Sequence, residues 1–343
     1  MAESPSTSIT NPDAPAALWT GPVPTLADVF EARLQIRPYL NPTPAIRSEP
    51  LSELLGCNVI VKAESLLPTG AFKIRGGINL MSRLSREQLN RGIVAASTGN
   101  HGQSMAYAAR LFGTKASVFV PEVANPLKVA SMNRLGAEVH AVGRDFDTCL
   151  ENAEEFAREH GKYFIHSANE PELIAGVGTY ALELMEFEPR LDAIFAPIGG
   201  GSGLCGITIV GKGINPDIQV FGVQSEGAPA VFNSWKSRTL ESTPEANTFA
   251  EGIATRMSYA LPAAILWDVV DEIVLVSDQA IKRAMLTYLQ RTRLLAEGAG
   301  AAPLAAAWAK REELQGKTIA LILSGGNVTL DVLQAAMNEE QPL

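Results

Sequence analysis

Short, largely apolar and β-branched runs alternate with longer amphipathic segments along most of the chain, and few folds satisfy that alternation. Runs at 58–62, 93–96, 115–120, 138–142, 163–165, 193–196, 218–223, 272–276 and 318–323 predict strands. The intervening segments predict helices, for example at 102–111, 126–135, 146–160, 176–186 and 277–292. Strand–helix–strand units joined in this way make a parallel sheet with helical crossovers, so the fold class is α/β. No period of roughly 20–50 residues recurs, which excludes a solenoid.

The units between residues 91 and 166 are compact and evenly spaced. This predicts a small domain at 91–167 inserted into a larger one made of 18–90 and 168–343. Residues 1–17, rich in Ser, Pro and Ala, lack the basic and apolar regions of a signal peptide and read as a mobile tail. Residues 235–258 have mixed polarity and poor periodicity and are the best candidate for a long functional loop, whose conformation the sequence leaves open.

At 343 residues the chain has room for two lobes and a large core. No run approaches the roughly 18 apolar residues that a membrane-spanning helix needs, and no membrane partner is expected. A formal net charge of −9 argues against a general grip on nucleic-acid phosphates. Cys57, Cys149 and Cys205 are odd in number and lack metal-ligand spacing, which fits a reducing, cytoplasmic compartment without structural zinc. A small molecule is the expected partner.

Four segments and one isolated acid carry chemistry. In Pro197-Ile198-Gly199-Gly200-Gly201-Ser202-Gly203, glycines lie between an apolar strand and a helix, where converging backbone N–H groups hold a phosphate. The stretch Gly201 to Gly206 also fits GxGxxG, with Glu226 about twenty residues on, which keeps a dinucleotide such as NAD as a remote alternative. Its mid-chain position and three consecutive glycines count against that alternative. Ser97-Thr98-Gly99-Asn100-His101 is a second strand-to-helix turn, read equally as a carboxylate site or as a simple N-cap, with His101 facing a pocket or merely lying in the first turn.

Ser324 places a hydroxyl at the carboxyl end of a strand, where α/β sheets bind ligands. Glu297 is an acid in an apolar, small-residue stretch and requires a partner if buried. Finally, Pro68-Thr69-Gly70-Ala71-Phe72-Lys73 sets a lysine behind an aromatic wall. Desolvation there lowers the amine pKa and makes it a carbonyl-trapping nucleophile.

Together these motifs, in this order and covering nearly the whole chain from about Leu18, resemble the fold type II pyridoxal-phosphate enzymes, in the branch of threonine/serine dehydratases and serine racemase. The resemblance implies two lobes of open, twisted, parallel-type sheet, as in tryptophan synthase β-like folds, and pyridoxal 5'-phosphate as cofactor. It implies covalent attachment through Lys73, Phe72 against the cofactor ring, Asn100 at the ring hydroxyl, and Gly199, Gly200, Gly201, Ser202 and Gly203 at the phosphate. Ser324 then faces the ring nitrogen, Glu297 joins the cofactor contacts, and Ser97, Thr98, Gly99 and His101 receive the substrate carboxylate. Lys73, Ser324 and Thr98 are the implied catalytic groups. The implied activity is β-elimination from threonine, serine or a related β-hydroxy amino acid, giving a 2-oxo acid and ammonia. A homodimer is the implied assembly.

Departures from the family pattern sharpen this. Ala71 replaces the usual serine before the Phe-Lys pair, and Thr98 stands where the racemase has its opposite-face serine, which demotes racemisation. Gln224 and Ala230 replace two acids of the divalent-metal site in many relatives, so no essential metal is expected. The sequence ends sixteen residues after Asn327, leaving no room for the regulatory domain of biosynthetic deaminases and pointing to a catabolic or specialised enzyme. Alternatives within the family are a racemase or a dehydratase for 3-hydroxyaspartate or a hydroxyectoine-derived compound, for which Arg256 is a candidate contact. The alternative outside it is a non-catalytic binding protein with a retained fold.

Overall fold

The computed structural model of the protein describes residues 18–97, 99–143 and 146–343. The expected tail at 1–17 lies outside the described residues, as does Thr98. Ten strands are found among the described residues: β1 (Ala45–Arg47), β2 (Asn58–Ala63), β3 (Ile93–Ala96), β4 (Ala116–Val120), β5 (Glu138–Ala141), β6 (Tyr163–Phe164), β7 (Ala193–Pro197), β8 (Gln219–Ser225), β9 (Glu272–Val276) and β10 (Thr318–Leu323). They form a six-stranded sheet in the order β1-β2-β10-β7-β8-β9 and a four-stranded sheet in the order β5-β4-β3-β6.

Every neighbouring pair is parallel except β1 with β2, which is antiparallel. The parallel α/β class is therefore as expected, and the antiparallel edge strand is an addition. β1 offers no sequence signal, being three residues long and half-exposed to exposed. By contrast β10, Thr-Ile-Ala-Leu-Ile-Leu, is buried on both faces after its first residue, because helices cover it above and below.

Parallel strands place all their carboxyl ends on one side of the sheet, and loops there build binding sites. The glycine loop follows β7, Ser324 follows β10 and Ser97 follows β3, while the Lys73 segment comes after β2 and a short turn. β2 and β10 are in register from Asn58↔Thr318 to Ala63↔Leu323, so the lysine segment and the Ser324 loop leave the sheet side by side. No helix among the described residues is long and apolar enough to cross a membrane.

Beneath the lysine helix (Lys73–Arg83) lies a buried charge network. Arg75 donates in fork geometry to Glu64 (Nε–Oε2 2.7 Å, Nη2–Oε1 2.9 Å) and to Glu183 (Nη1–Oε1 2.6 Å, Nη2–Oε2 2.9 Å). Lys62 completes it, donating to Glu183 at 2.5 Å and to the Thr43 carbonyl at 2.7 Å. Two cations and two carboxylates leave no net charge, which makes so much buried ionisation tolerable. Burial alone would lower the Arg75 pKa, but Glu64 and Glu183 raise it above its ordinary value.

Candidate active site

Lys73 is the first residue of its helix, not a loop residue, and its backbone is tied down on both sides. Phe72 N–H donates to the Ser324 carbonyl at 3.0 Å, and Ala71 bridges Gly325. The Lys73 carbonyl accepts from Ser104 Oγ at 2.7 Å. Its amine donates to Ser202 Oγ at 2.7 Å and lies 5.1 Å from the centre of the Phe72 ring. Burial in this apolar surround pulls the Lys73 pKa down to about 8, with a nearby Cys205 acting weakly in the other direction. At neutral pH the uncharged, nucleophilic form of the amine is therefore a minority, but a far larger one than in an ordinary lysine.

The glycine loop is built for close approach. Gly201 has φ +97°, a left-handed conformation that also brings it against Pro262, where a Cβ would lie 2.7 Å from the proline Cβ. At Gly199 a Cβ would collide with the Gly252 carbonyl, and at Gly203 it would lie 3.1 Å from the Phe72 ring. Phe72 thus underlies the loop, held edge-on by Tyr180, whose hydroxyl donates to the Gly203 carbonyl at 2.9 Å. The following helix, Ser202–Ile214, has no side-chain N-cap, so its first N–H groups and its positive dipole end remain for an anion.

Of the two roles that the sequence leaves open for the second turn, the capping one is observed. Ser97 Oγ accepts from Gly99 N at 3.0 Å and Gly102 N at 2.8 Å, the capping role. Its O–H hydrogen is still available to a ligand, because both bonds use the oxygen as acceptor. Asn100 begins the helix Asn100–Phe112 and is the centre of a chain: Asn327 Nδ2 donates to Asn100 Oδ1 at 2.8 Å, and Asn100 Nδ2 donates to Glu297 Oε1 at 2.6 Å. This supplies the partner that Glu297 requires. Burial raises the Glu297 pKa, against the lowering effects of Lys128 and the Asn100 bond.

His101 is buried, its Nε2 has no hydrogen-bond partner among the described residues, and burial followed by Lys73 and His166 lowers its pKa to about 3. It is a neutral imidazole at working pH.

One cavity of about 640 Å³ unites these segments, with Phe72, Lys73, Ser97, Gly99, Asn100, His101, Gly199 to Gly203, Glu297 and Ser324 all in its wall. The expected long loop contributes as well: after the helix Ala230–Ser237 the chain is largely irregular, and Pro244–Asn247 together with Glu251, Gly252 and Ala254–Arg256 line the same cavity. Thr98, between two lining residues, lies outside the described residues. Asn327, Tyr180, Lys128 and Glu251 were not assigned roles from sequence. Asn327 follows the Ser324 motif directly, a usable signal, whereas the others reach the site only through tertiary packing.

Of the two positions that the resemblance singles out for metal ligands, Gln224 is fully buried and its Oε1 accepts from Phe232 N at 3.0 Å, while Ala230 offers no ligand atom. No group of three or more potential metal-ligating side chains occurs among the described residues.

Residues 36–325 match the protein family described as pyridoxal-phosphate dependent enzyme. The L-threonine ammonia-lyase of Thermotoga maritima is 37% identical over 315 residues, covering 92% of this chain and 78% of that protein. The L-threo-3-hydroxyaspartate ammonia-lyase of Saccharomyces cerevisiae is 36% identical over 308 residues, covering 90% of this chain and 94% of that one. Among solved structures, maize serine racemase superposes with a TM-score of 0.86 at 31% identity, covering 92% of this chain and 98% of the other.

Proposed function

The chain belongs to the family of pyridoxal-phosphate dependent enzymes, and we propose that it is an ammonia-lyase that converts a β-hydroxy amino acid, L-threonine or L-serine, into a 2-oxo acid and ammonia. The observation that carries this reading is the Lys73 amine. It is partly desolvated, its pKa is lowered to about 8, and it shares one cavity with an uncapped helix start behind a glycine loop.

The residues fit the cofactor. The Gly199–Gly203 loop and the helix behind it suit a phosphate dianion, and the missing side chains at 199, 201 and 203 let the loop pack closely on Gly252, Pro262 and Phe72, which fixes its backbone N–H groups in place. Phe72 and Asn100 would hold the ring, and Ser324, at the end of β10, would meet the ring nitrogen with a hydroxyl in place of a carboxylate. When bound, the cofactor supplies an electron sink for the substrate α-carbon.

The chain's own groups do the rest. Lys73 Nζ would hold the cofactor, and the same amine, once free, would take the proton from the substrate α-carbon, a role its lowered pKa suits. Ser202 Oγ, 2.7 Å away, fixes the direction of that amine. The start of the Asn100–Phe112 helix, with the Ser97 hydroxyl, receives the substrate carboxylate, and neutral His101 lines this side without adding charge. Ser324 would offer the ring nitrogen a neutral hydroxyl in place of a carboxylate, an environment that would favour loss of the β-hydroxyl over prolonged storage of negative charge.

Racemisation is the second reading, carried by the likeness to maize serine racemase. The two sheets support a small domain at 91–167 inserted into 18–90 and 168–343. A cytoplasmic homodimer is proposed from the family resemblance.

A panel of β-hydroxy amino acids, assayed in parallel for 2-oxo acid, ammonia and the opposite enantiomer, tests the reading. Equal yields of 2-oxo acid and ammonia from L-threonine or L-serine, unaffected by EDTA, are expected. Accumulation of the D-enantiomer without ammonia would replace the lyase by the racemase.

A further inference from the structure

Lys128 and Glu251 meet across the cavity, and neither is used by the chemistry above. Lys128 comes from the helix Pro126–Arg134, packed beside the four-stranded sheet; Glu251 opens the short turn Glu251–Ile253, whose Gly252 carbonyl presses on Gly199. Their side chains form an ion pair, with Lys128 nearly buried at 9% exposure and Glu251 at 45%. The Lys128 amine is also beside the carboxylate turn: a Cβ built on Gly99 would lie 3.1 Å from Nζ.

Both charges are felt deep in the site, since Lys128 lowers and Glu251 raises the pKa of Glu297. The other charged side chains on the outer wall are Arg256, which donates to the Pro244 carbonyl at 3.3 Å, and Glu245. The outer wall therefore balances two cations with two carboxylates.

From this balance, and resting on the lyase reading, we infer that the Lys128–Glu251 pair is a specificity device that selects β-hydroxy amino acids with uncharged side chains. A second carboxylate on the substrate needs a cation whose charge is not already compensated, and Glu251 neutralises the one nearest the carboxylate turn. The same carboxylate repels a dianionic substrate, which is rejection by like charge as much as absence of attraction.

The inference separates two variants by sign. Glu251→Gln keeps the shape and frees the Lys128 charge, so the ratio of kcat/KM for L-threo-3-hydroxyaspartate to that for L-threonine should rise by about tenfold or more. Lys128→Met leaves Glu251 alone and should lower the ratio. A purely structural role would reduce both substrates together and leave the ratio fixed. Thermal shifts of the holoenzyme give a readout independent of turnover: succinate should raise the Tm of Glu251→Gln more than that of wild type, and butyrate should not.

A ratio that is unchanged or falls in Glu251→Gln overturns the inference while leaving the lyase standing. A wild-type protein that turns over none of these amino acids overturns the lyase reading, and the succinate comparison then still decides whether Glu251 screens Lys128.

Discussion

Lys73→Ala is expected to lower kcat/KM on L-threonine by at least about 10⁴-fold, because one substitution removes both the covalent anchor and the general base. The fold should survive. The Lys73 side chain has one hydrogen bond, to Ser202, and it opens a helix in which alanine is a better former than lysine. Cofactor should still enter, held without a covalent bond by the Gly199–Gly203 loop and the Phe72 wall, and its absorbance should shift accordingly. Far-ultraviolet circular dichroism and a 2-oxo acid assay separate loss of chemistry from loss of structure. Retention of more than about one per cent of the activity would remove Lys73 from the mechanism.

The second large effect concerns stability. Arg75→Leu is expected to destabilise the protein by about 3–5 kcal/mol, because among the described residues it leaves the buried Glu64 and the nearly buried Glu183 with Lys62 alone as cationic partner. Glu64 and Lys62 are fully buried, so water cannot replace the lost guanidinium. The direction of the Glu183 pKa supports this. Burial pushes it up, yet Arg75 and then Lys62 together hold it below the ordinary carboxylate value. A carboxylate with a depressed folded pKa contributes stability that is present above its unfolded pKa and is lost as pH falls through the folded one. Urea unfolding at neutral pH should thus show the full loss in Arg75→Leu, and the gap to wild type should narrow in acid. A loss below about 1 kcal/mol would mean that the network is not what holds the lysine helix in place.

Much of the fold was legible because β-branched runs and amphipathic helices have different periods. The failures have physical reasons. The lysine helix was hidden by Gly76 and Gly77, which weaken helix propensity but are needed where the helix meets its neighbours. A Cβ on Gly76 would lie 2.8 Å from the Leu173 carbonyl, and one on Gly77 would strike Ser104. The helix Gly298–Ala309 was hidden because it is buried nearly all round and contains Pro303, so no polar face marks its period. In the site, the glycine loop, the Ser97–His101 turn and Ser324 stand out in the sequence because they follow apolar strands, whereas Lys73 stands out by its Phe72 neighbour and the glycines around it. Lys128 and Glu251, 123 positions apart in sequence, carry no local signal, and their pairing exists only in the folded chain. The buried network left a faint trace in Lys62, a charge inside the apolar strand Asn58–Ala63.

Borohydride reduction of the holoenzyme followed by peptide mass mapping tests the cofactor's attachment most directly. The expected result is one pyridoxyl-modified peptide, carrying its label on Lys73, with loss of the visible absorbance in step with labelling. A label on any other lysine, or absorbance that borohydride leaves untouched, would contradict the assignment of Lys73.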